Sequence, residues 1–141
     1  MKEVYVDWQQ VEQSCDLIAS KFATHVDVVL GITRGGLVPA VMLSHRMMIP
    51  MMTCNITTRD GDCVEIDNKI IELSKTDRRI LVVDDINDTG LTAEIVRDTL
   101  PNCVIATLTH KPNTRMIPNQ VGIFSTFESQ QNAWVVFPWE M

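Results

Sequence analysis

The fold of this chain is decided by the stretch Ile80-Leu81-Val82-Val83-Asp84-Asp85-Ile86-Asn87-Asp88-Thr89-Gly90-Leu91-Thr92. Four apolar residues lead into three carboxylates, and a Thr-Gly-Leu-Thr turn then opens a helical pattern. A buried strand that ends in acids and in a small-residue loop at a helix start is how α/β proteins build a polyanion site. The acids suit a hard metal or sugar hydroxyls, and the loop amides suit a phosphate.

Further segments have the continuous apolar character of strands that are buried on both faces. Ile80 to Val83 is the strand that precedes the acids. A turn at Arg59-Asp60-Gly61-Asp62 separates one strand from a short return strand, which predicts a hairpin. The other strand candidates are Val26–Ile32, Met51–Thr58, Val64–Ile66, Cys103–Thr109, Val121–Phe124 and Trp134–Phe137.

Helical patterns alternate with these strands. Asp7 is a plausible N-cap for a first helix, in which Trp8 is expected to lie in the core. Asp67 to Asp77 is polar and receives no assignment. The apolar residues of the helical faces are Trp8, Val11, Cys15, Ile18 and Phe22, then a segment from about Val38 to Arg46, then Leu91, Ile95, Val96 and Leu100, closed by Pro101. The pattern predicts an α/β fold, Rossmann-like, with a mainly parallel central sheet flanked by helices.

Polar loops follow three of the predicted strands. Ligands of such folds bind at the carboxyl ends of the strands. We therefore expect the three loops to form one site. They are Thr33-Arg34-Gly35-Gly36, the acidic run from Asp84 to Thr92, and His110-Lys111-Pro112.

Composition bounds the class of protein. The 141 residues predict a single domain spanning 1–141, and the formal charge of −6 (12 basic and 18 acidic residues) disfavours a nucleic-acid partner. The N-terminus has no apolar signal core and no run is long enough for a membrane span, so a cytoplasmic protein is expected. The four cysteines lack metal-site spacing and are expected to be small buried hydrophobes.

Four segments together resemble a known family. The run from Val82 to Thr92 resembles the phosphoribosyl-pyrophosphate signature of type I phosphoribosyltransferases, and Gly31 to Pro39 resembles their pyrophosphate loop. His110-Lys111-Pro112 and Trp134 to Glu140 are similar to base-binding elements of the xanthine–guanine subgroup. The order and spacing of all four pieces fit that family.

The resemblance implies a purine salvage enzyme. The enzyme would transfer the 5-phosphoribosyl group from phosphoribosyl pyrophosphate to N9 of a 6-oxopurine, which is guanine, xanthine or hypoxanthine, and would release pyrophosphate. Asp88 is implied as the catalytic, proton-handling acid. Asp85 is implied to bind Mg²⁺. The residues implied for ribose and its 5′-phosphate are Asp84, Asp85, Asp88, Thr89, Gly90, Leu91 and Thr92.

The same resemblance implies which residues bind the pyrophosphate and the base. Family members often hold a cis peptide in the pyrophosphate loop, here at Thr33–Arg34. A mobile lid is implied for Arg59 to Lys69. Lys111 would select a 6-oxo group, Trp134 would stack on the purine, and backbone near Val135 would bind the base edge. The implied pyrophosphate ligands are Thr33, Arg34, Gly35 and Gly36.

Alternative functions stay open at this point. A regulatory protein of the same fold that senses phosphoribosyl pyrophosphate or a nucleotide, or a pyrimidine phosphoribosyltransferase, would share most of these motifs. Asp88-Thr89-Gly90 also occurs in aspartic proteases. That fold is all-β, however, whereas in this sequence a helical pattern begins directly after the triplet. Two departures from the family pattern, Asn87 and Leu91, remove no required functional group.

The family resemblance also implies an assembly. A homodimer or homotetramer is expected. The sequence ends at Met141, just past the base-binding segment. We therefore expect a reduced hood over the site, with a base pocket that is open or completed by a partner subunit.

Overall fold

The computed structural model describes residues 2–111, 114–122 and 133–141. Four helices are present in this part of the chain, together with a 3₁₀ turn at Pro138–Glu140. The helices are α1 Trp8–Phe22, α2 Leu37–Met47, α3 Asn68–Ser74 and α4 Leu91–Thr99. The strands are β1 Glu3–Tyr5, β2 Val28–Thr33, β3 Met51–Arg59, β4 Asp62–Ile66, β5 Ile80–Asn87, β6 Val104–His110, β7 Gln120–Val121 and β8 Trp134–Val136.

Six strands form the central sheet, in the order β4-β3-β2-β5-β6-β7. All neighbours in it are parallel except β3 and β4, which form the predicted antiparallel hairpin. The predicted α/β class and mainly parallel sheet are therefore confirmed. A separate two-stranded parallel sheet pairs β1 with β8.

The central sheet is covered on both faces, which explains the continuous apolar character of its strands. One core cluster joins α1 and α2 to one face, where Ile18 and Leu43 meet Leu81 and Val83. The other joins α3 and α4 to the opposite face, where Ile70 meets Val82. Because alternate strand residues point to opposite faces, each central strand supplies both clusters.

The first helix begins as its sequence predicts. The Asp7 carboxylate accepts a hydrogen bond from the Gln10 backbone amide at 2.8 Å, and the Gln10 side-chain oxygen accepts one from the Asp7 backbone amide at 3.0 Å. This capping box satisfies amide groups that would otherwise lack partners at the helix start. Val11, Cys15 and Ile18 are completely buried, so the predicted apolar face is confirmed for these residues.

Four features of the local structure were predicted wrongly, incompletely or not at all. Trp8 is not a core residue, because half of it is exposed and its ring lies beside Trp139, with centroids 5.9 Å apart. Residues 67–77, left unassigned, contain α3, whose N-cap is Asp67. The strand β1 was not predicted. Strand β7 ends at Val121, and residues 123 and 124 of the predicted strand lie outside the described residues.

The cysteines are all free thiols. Burial raises the pKa of the Cys15 and Cys54 thiols to about 11, which makes them unreactive at neutral pH. Cys103 is also buried, but Cys63 is exposed, contrary to the expectation for this residue. Of the helices in the described ranges, none has the length and apolarity needed to cross a membrane.

Candidate functional site

The acidic pair lies inside a strand rather than in a loop. Strand β5 continues four residues past the predicted end at Val83, and Asp84 pairs with Thr107 while Asn87 pairs with His110. The two side chains therefore leave the strand on opposite faces of the sheet. Their carboxyl groups nevertheless lie close enough to share a hydrogen bond. This corrects the expectation that the strand ends at the acids, since both belong to β5.

Asp84 faces a cleft between the sheet and the start of α4. Burial is the main cause that raises the pKa of its carboxyl well above the ordinary value, and the charge of Asp85 raises it further. The cleft contains five of the seven residues assigned to ribose and its phosphate; Asp85 and Leu91 are not among its lining residues. The residues lining it are Ile32, Val82, Asp84, Ile86, Asn87, Asp88, Thr89, Gly90, Thr92, Ala93, Val96, Ile105 and Thr107.

Asp85 lies on the other face, directly beside Gly35 of the loop that is predicted to bind pyrophosphate. A Cβ atom on Gly35 would stand 2.3 Å from its Oδ2, so only glycine allows the loop to approach this carboxylate. Burial raises the pKa of the Asp85 carboxyl, and the charge of Glu140 acts in the same direction. The C-terminal turn is therefore close enough to act electrostatically on Asp85.

The loop from Thr33 to Gly36, which is predicted to bind pyrophosphate, joins β2 to α2. Its Thr33–Arg34 peptide is cis, as the family resemblance implied. The Gly36 amide donates to the Ile32 carbonyl at 2.8 Å, and the Leu37 amide donates to the Arg34 carbonyl at 3.0 Å. The Arg34 side chain is exposed, and within the described ranges no carboxylate pairs with it. This arginine can therefore meet an anion from solvent.

The loop between β5 and α4 has the form of an anion-binding turn. Gly90 is the N-cap of α4 with φ of 90°, and no side chain caps the helix there. The Thr89 hydroxyl accepts a hydrogen bond from the Leu91 backbone amide at 3.2 Å. Beyond the Leu91 amide, the helix start presents backbone amides and the positive end of the helix dipole, both of which favour a phosphate.

Lys111 lies beside Asp88, which connects two of the predicted subsites. Its Nζ atom is 3.0 Å from the Asp88 Oδ1 atom, and the Lys111 side chain is only 14% exposed. The Lys111 amide also donates to the Asn87 carbonyl at 3.0 Å. The structure therefore brings the proposed base-selecting cation and the proposed proton-handling acid into direct contact. Pro112, the third residue of that motif, lies outside the described residues.

Trp134 and Val135, which were predicted to bind the base, lie on strand β8 and not in the cleft around Asp84. Trp134 is 58% exposed on β8, and its amide donates to the Lys2 carbonyl at 2.8 Å. Val135 is 8% exposed and belongs to the core, so its side chain does not offer a base contact. Neither residue lines the cleft around Asp84. Base stacking by Trp134 stays a prediction.

Asn87 is a residue whose importance the sequence did not predict. It is 4% exposed, and its Nδ2 atom donates to the Met116 carbonyl at 2.8 Å and to the Thr114 hydroxyl at 3.1 Å. Nδ2 also lies 3.4 Å from His110 Nδ1. These contacts attach the segment after Lys111 to the end of β5. The available signal was an amide side chain in an otherwise apolar and acidic strand.

Replacing Asn87 with Leu is expected to lower the free energy of unfolding by about 2 kcal/mol, because the hydrogen bonds to residues 114 and 116 are lost while the volume is kept. Asn102→Leu, on an exposed turn, is the matched control and should change stability by less than about 0.5 kcal/mol. Urea unfolding of both variants measures the difference. Equal stability of the two variants would show that the Asn87 amide contributes nothing.

The acids fit a hard divalent cation. Magnesium usually binds one or two protein carboxylates and takes its other ligands from water and substrate oxygens. Asp84 and Asp85 are adjacent carboxylates, and the pKa of each is raised by burial, so a cation would relieve an unfavourable arrangement. In the ranges that the structure covers, no group of three or more His, Cys, Asp or Glu side chains could hold a metal by itself. Substrate oxygens would have to complete the coordination.

Comparison with known proteins agrees with this geometry. The model of the phosphoribosyl transferase domain matches residues 3–141. A xanthine-guanine phosphoribosyltransferase of Idiomarina loihiensis is 27% identical over 147 residues, covering 99% of this chain and 88% of that protein.

Solved structures show the same similarity. A purine phosphoribosyltransferase from Pyrococcus horikoshii superposes with a TM-score of 0.79 at 32% identity, covering 100% of this chain and 96% of that one. A xanthine-guanine-hypoxanthine phosphoribosyltransferase of Helicobacter pylori gives 0.74 at 20% identity, with 99% and 94% covered, and shows the shared fold. The chain therefore belongs to the phosphoribosyl transferase domain family.

Proposed function

We propose that this protein is a purine salvage phosphoribosyltransferase that transfers the 5-phosphoribosyl group of phosphoribosyl pyrophosphate to N9 of a 6-oxopurine. The observation that carries the proposal is the contact between Lys111 and Asp88, since Asp88 lines the same cleft as Asp84 and the small residues that follow it. The arrangement supplies an acid and a cation for a base beside a site for a phosphorylated sugar. The relatives named above share this activity class.

The reaction exchanges one bond for another. The N9–C1′ bond forms, the C1′–O bond to pyrophosphate breaks, and the proton of the purine imidazole must leave the base. Asp88 would accept that proton or stabilise the charge that it leaves. Arg34 would bind the departing pyrophosphate, since a guanidinium matches phosphate oxygens in pairs. The amides of the turn from Thr89 to Thr92 would hold the 5′-phosphate and so position C1′.

The proposal includes Mg²⁺, held by Asp85 together with substrate oxygens. A bound magnesium ion would neutralise charge on the pyrophosphate. Asp84 would bind ribose hydroxyls from the other face of β5. Lys111 would donate to the 6-oxo group, and adenine would be disfavoured because it presents a donor there.

The test is release of pyrophosphate from magnesium phosphoribosyl pyrophosphate with guanine, xanthine, hypoxanthine, adenine and uracil as acceptors. We expect turnover with at least one 6-oxopurine, far weaker use of adenine and uracil, and loss of turnover when EDTA removes the cation. Binding of phosphoribosyl pyrophosphate without turnover of any base would contradict an enzyme and favour a regulatory protein. Turnover with uracil alone would indicate a pyrimidine enzyme.

We also propose a homodimer or homotetramer. Leu37 and Val41 are each 39% exposed on α2, and Met48, just after that helix, is 90% exposed, so an apolar surface adjoins the pyrophosphate loop. A partner subunit would cover it. Analytical ultracentrifugation that finds only a monomer at micromolar concentration would contradict this assembly.

A further inference from the structure

Strand β6 carries two buried threonines whose hydroxyl groups have no partner. Thr107 is 2% exposed and Thr109 is completely buried. Within the described residues, neither Oγ1 atom makes a hydrogen bond. A buried hydroxyl without a partner lowers stability, so such a group in a native protein calls for an explanation. The two residues share one face of β6, since alternate residues of a strand point the same way.

Only one of the two threonines faces the ligand cleft. Thr107 lines it together with Asp84, whereas Thr109 is not among the lining residues. The sheet register pairs Thr107 with Asp84 and Thr109 with the apolar Ile86. Neighbouring strands lie about 4.8 Å apart, so the Thr107 hydroxyl and the Asp84 carboxylate can meet by side-chain rotation alone.

We propose that Thr107 is a positioning residue of the ribose subsite, where its hydroxyl donates a hydrogen bond to the Asp84 carboxylate while that carboxylate binds ribose hydroxyls. This inference rests on the proposed function. The Thr107 oxygen is too deeply buried to meet a ligand directly, so it must act through a neighbour, and Asp84 is the polar residue opposite it. The Asp84 Oδ1 atom already accepts the Asp85 amide at 2.9 Å. A second donor would fix the plane of the carboxylate.

The matched pair Thr107→Val and Thr109→Val tests the proposal. Each variant replaces an unpartnered hydroxyl with a methyl group of similar size, so neither should lower the unfolding temperature. Calorimetry with magnesium phosphoribosyl pyrophosphate should show about tenfold weaker binding for Thr107→Val, as is usual when a charged group loses a hydrogen bond. Thr109→Val should bind within twofold of wild type. Thr107→Ser, which keeps the hydroxyl, should restore most of the affinity.

Two further measurements separate positioning from general damage. The affinity for free pyrophosphate should not change in Thr107→Val, because the loop from Thr33 to Gly36 lies on the other side of β5. In an Asp84→Ala background, which removes the acceptor, Thr107→Val should have no additional effect, because the hydroxyl acts through the carboxylate. If valine disturbs the packing, Thr107→Ala provides the same comparison.

The outcomes distinguish this inference from the proposed function. Wild-type protein that fails to bind phosphoribosyl pyrophosphate would contradict the proposed function and the role of Thr107 with it. Wild-type binding that Thr107→Val leaves unchanged would overturn the role of Thr107 alone. A tenfold loss that persists in the Asp84→Ala background would overturn the action through Asp84.

Discussion

Asp88→Asn is expected to lower kcat about 100-fold, the lower end of what a positioned proton acceptor contributes. Asparagine keeps the shape of the side chain but cannot take up a proton. The binding of phosphoribosyl pyrophosphate should change less than threefold, because the backbone amides of the turn after Asp88 remain in place. Steady-state rates with the best 6-oxopurine, together with single-turnover measurements, would show whether the chemical step is affected.

Two control variants sharpen this result. Asp98→Asn removes the same charge from an exposed position on α4, and it should leave kcat within twofold. Lys111→Met breaks the ion pair with Asp88 but keeps the acid, so it should raise KM for the base and weaken the preference for a 6-oxo group. If Asp88→Asn behaves like Asp98→Asn, Asp88 does not handle the proton. A large kcat effect in Lys111→Met would mean that the ion pair, rather than the acid alone, is required.

The predictable features of this fold are those with local causes. Asp7 caps α1 through its own side chain and that of Gln10, which is a signal contained within four residues. The buried strands were recognisable because both of their faces are covered. The convergence of the loops followed from the rule that parallel strands place their carboxyl ends at one edge. None of these inferences needed a contact between distant residues.

Two of the features that escaped prediction depend on distant contacts, and a third is too short to leave a recognisable pattern. Strand β1 exists because Glu3 to Tyr5 pair with Trp134 to Val136 at the other end of the chain. Trp8 is half exposed because it packs on Trp139 rather than under the sheet. Helix α3 has only seven residues, too few for a clear apolar period. Local sequence does not contain these causes.

The acidic motif shows the same division. The sequence predicted the chemistry of the motif, but it did not predict on which face of the sheet each carboxylate lies. Strand β5 continues to Asn87 because β6 pairs with it throughout, and this pairing sends Asp84 and Asp85 to opposite faces. Asn87, which looked neutral, has its amide bound to Met116 and Thr114. The motif therefore reaches three parts of the structure instead of forming one acidic surface. Asp84 lines the cleft beside α4, Asp85 lies beside Gly35, and Asn87 binds residues 114 and 116.

Gly36→Ala should be the most destabilising single methyl addition in the site. The Gly36 backbone lies in the ordinary helical region, with φ of −81° and ψ of −5°, so alanine is conformationally allowed and only space is at issue. A Cβ atom would stand 2.3 Å from the Val83 carbonyl oxygen and 2.7 Å from the Ile32 carbonyl oxygen. Both atoms belong to the backbone of central strands, which cannot rotate away. We expect a loss of about 3 kcal/mol and a fall in Tm of about 10 °C.

Gly35→Ala is the informative comparison, because the added methyl meets a side chain instead of backbone. Its Cβ would stand 2.3 Å from Oδ2 of Asp85, and that carboxylate can turn away at the cost of its position. Stability should therefore fall by only about 1 kcal/mol, while the affinity for magnesium and pyrophosphate falls strongly. Thermal unfolding and pyrophosphate calorimetry on both variants would separate the two effects. Equal losses of stability would mean that Asp85 is held as rigidly as the strands, and the carboxylate would then be part of the scaffold as much as a ligand.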